Sequence, residues 1–296
     1  AKVSKYLGVP NRRDALRGAD FVVNAIQVGG YDPCTITDFE IPKKYGLKQT
    51  IADTLGIGGI FRALRTIPVM EEFGYEMAEV CPDAWLLNYT NPNAMVTWYC
   101  NKYGGVPTVG LCHGVQGGHE LIAKALGYEK KDIDIICAGI NHMTWYISVK
   151  HKGEELSGKL LEALMADPEA SQTEKVRIDM MKRFGYFSTE SNGHLSEYVA
   201  WYRKRPDEIR KWIDLGVWIN GETGGYLRVC TEGRNWFETD FPNWLKEPPK
   251  TYAPEKRSQE HGSWIIESIE TGRVYRGHFN VVNNGVITNL PDDCIV

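Results

Sequence analysis

The chain has 296 residues, 43% hydrophobic and 24% charged, which is ordinary composition for one large or two average globular domains. A formal net charge of −4 offers no electrostatic footprint for nucleic acid, no apolar run approaches a membrane span, and no signal peptide opens the sequence. Seven cysteines, odd in number and without paired spacing, predict reduced thiols in a cytoplasmic protein, not a disulfide framework.

In chain order, a polar helix leads to Phe21-Val22-Val23-Asn24-Ala25-Ile26, short and apolar enough for a buried parallel strand. A helix is expected from Gly59 to about Val80, with Ile60, Leu64, Ile67, Met70 and Phe73 at helical spacing. Ala84 to Asn88 reads as a second strand, and Pro92 opens a helix that runs to about Tyr103. Strand 107–111, helix 118–126 and strand 133–138 complete an alternation that predicts a doubly wound, Rossmann-like parallel sheet.

The second half has a different grain. His142 to Lys150 alternates like a half-exposed strand, and residues 151–154 read as a hairpin turn. Helices are expected near 157–166, 172–184 and 255–270, with an irregular stretch through Gly221–Gly225 and a Pro- and Trp-rich loop over 237–253. Two strands, Val274 to Val282 and Gly285 to Ile287, follow. The expected organisation is a dinucleotide-binding domain over residues 1–142, lacking its first βαβ unit, and an α+β catalytic domain over 143–296, lacking its C-terminal part. No glycine-rich pyrophosphate turn occurs; Gly56-Ile57-Gly58-Gly59 follows no strand and reads as a helix start.

Cys112-His113-Gly114-Val115 and Gly139-Ile140-Asn141-His142 each close an apolar run. Side chains at the carboxyl ends of strands in an open α/β sheet face the ligand crevice. A thiolate and an imidazole meeting there could hold a transition metal with positions left open for substrate. Cys112 could equally be a small hydrophobe, and His142 a histidine satisfying one hydrogen bond.

Asn88-Tyr89-Thr90-Asn91-Pro92, Gly110-Leu111-Cys112-His113-Gly114 and Ala138-Gly139-Ile140-Asn141-His142 occur in the order and separation of glycoside hydrolase family 4. Gln27-Val28-Gly29-Gly30-Tyr31, the stretch Thr50 to Gly56, Gly185 to Ser191 and Asn289-Leu290-Pro291 extend the resemblance over essentially the whole chain. It is strongest to the α-galactosidases of that family and implies NAD and a divalent metal, Mn2+, as cofactors. The chemistry implied departs from two-carboxylate glycosidases. NAD takes hydride from C3 of the sugar, the acidified C2 proton is removed, the glycosidic oxygen leaves C1, and water adds before hydride returns. A metal on the C2 and C3 oxygens would hold the developing charge.

Position by position, the resemblance makes Cys112 and His142 the metal ligands; thiol and imidazole softness alone would favour Zn2+ or Fe2+. His113 matches the acid for the leaving group, or else shapes the metal site. Asp53 matches an acidic position that raises the basicity of the catalytic base, and Asn91 a substrate-contacting one; each is also placed to cap a helix or turn. Asn141, Glu190 and His194 are assigned to substrate, and Asn24, Gln27 and Asn88 to the cofactor. Tyr186, Glu190 and His194 are candidates for the base, and Tyr186 is chosen, although it could be a core aromatic.

His113 directly after the cysteine argues against phosphorylated sugars, and Val115-Gln116-Gly117-Gly118 continues a galactosidase-like pattern. Gly114, where galactosidase-like members usually carry serine, leaves an α-glucuronidase or α-glucosidase as the alternative. From other classes, an NAD-dependent 2-hydroxy acid dehydrogenase and a non-catalytic binding module remain as rivals. The resemblance further implies a small-molecule glycoside substrate and a homodimer or homotetramer, with aromatic residues over 235–250 as interface.

Overall fold

The computed structural model describes residues 2–205, 207–213, 241–248 and 259–296. Its first unit is a three-stranded parallel sheet of Phe21–Asn24 (β1), Trp85–Asn88 (β2) and Thr108–Gly110 (β3), in that spatial order. The crossovers run through helices Ile36–Lys44 (α2) and Gly56–Val80 (α3) and then Asn93–Lys102 (α4), after a short Arg12–Leu16 helix (α1).

The buried side of α3 includes Ala63, Thr66, Met70, Gly74 and Met77, at helical spacing. Met70 and Met77 pack with Leu16, Leu86, Val96 and Cys100 on one face of the sheet. Ile60 and Leu64, expected on that buried side, are instead exposed. Small residues and methionines fill the seam, and the larger aliphatics stay outside. On the other face Leu87, Val109 and Leu111 meet Ile265 and Ile266.

Asp134–Ile140 (β4) corrects the expectation that it completes the parallel sheet. It pairs antiparallel with Met143–His151 (β5) in a second sheet that also holds Glu154–Glu155 (β6) and Phe187–Ser188 (β7). Only two residues, Asn141 and His142, link β4 to β5. A parallel partner would need a crossover of a dozen residues or more. The passage between sheets therefore falls before Asp134.

Gly114–Leu126 (α5) starts four residues earlier than expected and packs on this second sheet through Ile122 and Ala123, beside Tyr146 and Val149. Helices Ser157–Ala166 (α6), Ala170–Thr173 (α7) and Lys175–Phe184 (α8) close the same core with Leu160, Leu164 and Met181. The helix expected over 172–184 is thus two, broken at Glu174. Short helices Asn192–Tyr198 (α9), Ala200–Arg203 (α10) and Ile209–Trp212 (α11) follow.

Phe241–Trp244 (α12) is one helical turn inside the segment expected to be a loop. His261–Thr271 (α13) is the described part of the helix expected from residue 255. Residues 221–225, and the parts of 235–253 and 255–258 outside the stated ranges, lie outside the described residues. The two strands expected after Val274 are not formed. Only single bridges, Gly110 with Asn280 and Val282 with Ile295, occur there. The Asn283 amide donates to carbonyls of Ile287, Leu290 and Pro291, so local side-chain bonds replace a ladder. Among the described residues, no helix is long and apolar enough to cross a membrane.

Candidate active site

The carboxyl ends of the parallel strands are tied together by buried amides. Asn24 Nδ2 donates to Asn88 Oδ1 at 2.8 Å, and Asn88 Nδ2 donates to the Thr90 carbonyl and the Thr97 hydroxyl. Asn93 Nδ2 donates to the carbonyl of Leu111, at 2.9 Å, and so fixes the strand end that carries Cys112. The side chains of Asn24 and Asn88 therefore brace strands. Gln27 lies outside, donating to the Thr35 hydroxyl at 2.9 Å.

Cys112 and His142 meet although they come from different sheets. Cys112 Sγ lies 3.5 Å from His142 Nε2. His142 occupies the tight β4–β5 turn with φ of 65°, a left-handed backbone uncommon for a residue with a side chain. Its Nδ1 stands 2.9 Å from Glu190 Oε2 and 2.8 Å from His194 Nε2. A carboxylate on Nδ1 keeps a proton there and aims Nε2 at the thiol, the orientation of metal-ligating histidines.

The electrostatics follow. Burial opposes ionisation of the Cys112 thiol, but contact with His142 outweighs it and holds the thiol below its ordinary value. Burial likewise opposes a charged His142, yet Glu190 and the thiol raise it well above the usual imidazole range. Glu190 is depressed, because the two histidines more than offset its desolvation.

A second chain of contacts runs from His194 through α9. His194 Nδ1 lies 2.5 Å from Glu197 Oε1, and the Tyr198 hydroxyl lies 2.9 Å from His194 Nε2. Glu197 accepts the backbone N–H groups of Thr50, Ile51 and Ala52, fastening the loop that presents Asp53. Asp53 Oδ1 is 3.9 Å from His194 Nε2, and Asp53 Oδ2 accepts from Asn91 Nδ2 at 3.0 Å and from Arg62 at 3.3 Å. Burial, with Glu197, Asp53 and Glu190 nearby, raises the Tyr198 phenol well above its ordinary value.

Cys112, His142, Asp53, Asn91, Glu190 and His194 are thus one connected group. Neither Asn91 nor Asp53 caps a helix: α4 is preceded by Pro92 and α3 by Leu55, and both side chains turn to each other instead. Tyr186 is 46% exposed and stands apart from this chain of contacts. Its place beside the histidines is taken by Tyr198, which the sequence reading passed over. The available signal was spacing: His194, Glu197 and Tyr198 stand at i, i+3 and i+4 on one helix. His113 is half-exposed, with Nε2 at 2.7 Å from Glu260 Oε2.

A cavity of about 320 Å³ opens beside the pair, lined by Cys112, Gly114, Asn141, His142, Thr189 and Glu190 among others. Asn141 is buried and its Oδ1 has no partner, so it asks for a donor from a ligand. The donor set fits a divalent ion. A thiol held toward its anion and the imidazole Nε2 facing it, 3.5 Å apart, form an edge that bonds of roughly 2.0–2.3 Å can close once a metal displaces the proton between them. His142, Glu190 and His194 also gather within 4.8 Å. Their contacts of 2.8 and 2.9 Å are hydrogen-bond lengths, so Glu190 and His194 hold the His142 ring in place.

The sequence pattern of family 4 glycosyl hydrolases matches residues 2–128, and that of the family's C-terminal domain matches residues 137–296. The chain belongs to this family. Membership in family 4 sets aside the 2-hydroxy acid dehydrogenase reading. Among its family 4 relatives, the chain is 54% identical to an α-galactosidase of Rhizobium meliloti (strain 1021) and 43% identical to one of Bacillus subtilis (strain 168). The matches cover 99% and 97% of this chain, which spans 60% and 64% of those two proteins. The 6-phospho-β-glucosidase of Thermotoga maritima, solved with manganese, NAD+ and glucose-6-phosphate, shares the fold. Its TM-score is 0.71 at 23% identity, over 96% of this chain and 63% of that one.

Proposed function

We propose that this chain carries the reaction centre of an α-galactosidase that uses NAD and Mn2+. The observation that carries the reading is the Cys112–His142 pair with Asp53, Asn91 and Tyr198 grouped behind it. Two α-galactosidase relatives support the choice of sugar. Cys112 and His142 would hold the metal, and the loop after β1 with Gln27, together with the β2 end at Asn88, would border the dinucleotide at the carboxyl ends of the parallel strands. When bound, NAD+ would supply a hydride acceptor and donor for C3, and a divalent ion held by Cys112 and His142 would supply positive charge for the developing negative charge on the sugar.

The remaining work falls to side chains. Tyr198, in place of Tyr186, removes the C2 proton once C3 is a ketone, and His194, backed by Glu197, takes the phenol proton only when its ring is neutral. Asp53 adds negative charge beside this group and orients Asn91, whose second amide hydrogen can meet a sugar hydroxyl. Asn141 Oδ1 accepts from another hydroxyl. His113 protonates the departing oxygen. The three-stranded unit takes the dinucleotide role, and the second sheet with its helices the catalytic one.

The thiol at the site suits a reducing cytoplasm. Exposed Ile60 and Leu64 on α3 offer apolar area for a homodimer or homotetramer; a monomer mass by light scattering would remove that part. The central test is hydrolysis of 4-nitrophenyl α-galactoside with NAD+, Mn2+ and a thiol reductant, each omitted in turn. Loss of activity without NAD+ or without metal is expected. Activity that needs neither overturns the reading.

A further inference from the structure

His113 is held by a segment far away in sequence, and the contacts are specific. Glu260 Oε2 lies 2.7 Å from His113 Nε2, and the Glu260 carboxylate also hydrogen-bonds the Tyr89 hydroxyl. The Tyr89 ring stacks on the His113 imidazole, centroids 5.9 Å apart and planes 19° from parallel. Gly262 N–H donates to the same Tyr89 hydroxyl at 3.0 Å, and Gln116 Nε2 donates to the Gln259 carbonyl at 3.1 Å. Residues 259–262, at the start of α13, therefore clasp the turn from Cys112 into α5.

We propose that Glu260 is the positioning residue for His113, fixing which imidazole nitrogen faces the leaving group. The inference rests on the reading of His113 as the acid. An ionised carboxylate only accepts, so the nitrogen beside Glu260 carries a hydrogen and Nδ1 is left to act. As the C1–O1 bond breaks, its electron pair stays on O1, which takes the Nδ1 proton of the doubly protonated ring. The pair left at C2 by its earlier deprotonation becomes the C1=C2 bond, the Nδ1–H bonding pair stays on Nδ1 as its lone pair, and the second proton remains on Nε2 against Glu260. The Tyr89 stack sets the plane of the ring and Glu260 its rotation, so a surface histidine becomes a directed one.

The test compares two leaving groups on the intact enzyme with NAD+ and Mn2+. A 4-nitrophenolate leaves without a proton, whereas the sugar alkoxide of an α-galactosyl disaccharide does not. Glu260→Gln is expected to lower kcat on the disaccharide ~10-fold, part of the ~10²–10⁴ that a general acid contributes. On the nitrophenyl substrate the change is under about twofold, with KM unchanged for both. His113→Asn should give the same split, larger. If His113→Asn slows both substrates alike, the acid assignment itself fails, and this inference with it. If His113→Asn separates the substrates while Glu260→Gln leaves both unchanged or slows both equally, His113 keeps its role and Glu260 loses its own. A second readout needs no turnover. In metal-free protein, imidazole ¹⁵N shifts should place the His113 proton on Nε2 and show that preference lost in Glu260→Ala; an unchanged tautomer overturns the proposal.

Discussion

The Tyr198 hydroxyl stands 2.9 Å from His194 Nε2, one helical turn earlier on α9, and the far nitrogen of that imidazole rests on Glu197. Phenol, imidazole and carboxylate in contact form a path by which a buried tyrosine can give up its proton, once the imidazole is neutral, and then act as a base. Tyr198→Phe should therefore lower kcat ~10²–10⁴-fold and abolish deuterium incorporation at C2 from heavy water. Tyr186→Phe, on the exposed aromatic, should stay within about twofold of wild type. Equal losses in the two variants would dismiss Tyr198 as the base.

Metal binding should depend on both sheets. Cys112→Ser and His142→Ala are each expected to abolish high-affinity Mn2+ binding, followed by the loss of the free-ion paramagnetic resonance signal on titration. Glu190→Gln, behind His142 Nδ1, should weaken binding ~10–100-fold without abolishing it. Full-strength binding by the Cys112 variant would move the centre to His142, Glu190 and His194.

Glu197 gives the fold a pH signature. Its carboxyl is depressed below the ordinary value because His194 and neighbouring groups outweigh its burial, and His194 is raised by Glu190 and Glu197 against its own burial. The carboxylate contributes stability above pH ~4.3 that is lost as pH falls through its lower folded value. The imidazolium contributes below pH ~6.5 and is lost as pH rises through its higher folded value. The stability gap between wild type and Glu197→Gln should thus be widest near pH 5–6.5, at roughly 3–5 kcal/mol, and shrink toward pH 3 and toward high pH. Urea unfolding across that range checks it; a flat gap would mean the pair is not ionic.

Gly114 tests sugar choice. A Cβ there would sit 3.6 Å from the Thr189 carbonyl oxygen and 3.8 Å from Cys112 Sγ, ordinary contacts that leave the turn undisturbed. Gly114→Ser should unfold within ~0.5 kcal/mol of wild type. It should also shift kcat/KM toward α-galactoside over α-glucuronide by ~5-fold or more, since the added hydroxymethyl narrows the space beside the thiol. An unchanged ratio would clear Gly114 of any part in selecting the sugar.

The legible parts of this molecule were those set by local pattern. The strands ending at Asn24, Asn88 and Gly110, and helices such as Ser157–Ala166, show in apolar spacing and length. The partner of Asp134–Ile140 did not show, because a short apolar run does not state whether its neighbour is parallel or antiparallel. Cys112 and His142 stand out as strand-end residues, but Glu260 beside His113 is 147 positions away, and no local pattern links them. Tyr198 was hidden differently. The motif that marks the site ends near residue 194, and the helical turn that carries Tyr198 back to His194 begins only there.

Gly110 has a use beyond ending β3. Its N–H donates to the Asn280 carbonyl at 3.0 Å, and its own carbonyl accepts from the Asn280 backbone at 2.8 Å and side chain at 3.0 Å. A Cβ at Gly110 would collide with the side chains of Asn93, Thr97 and Asn280. The late segment thus plugs into the early sheet through a position that tolerates no side chain. Dissecting the chain at the sheet boundary to make a free-standing nucleotide module would strip this plug from β3 and bare Leu87 and Val109 to solvent. A chimera that swaps sugar specificity between relatives must therefore carry both halves of the plug, Gly110 with Asn280, as one heritable unit.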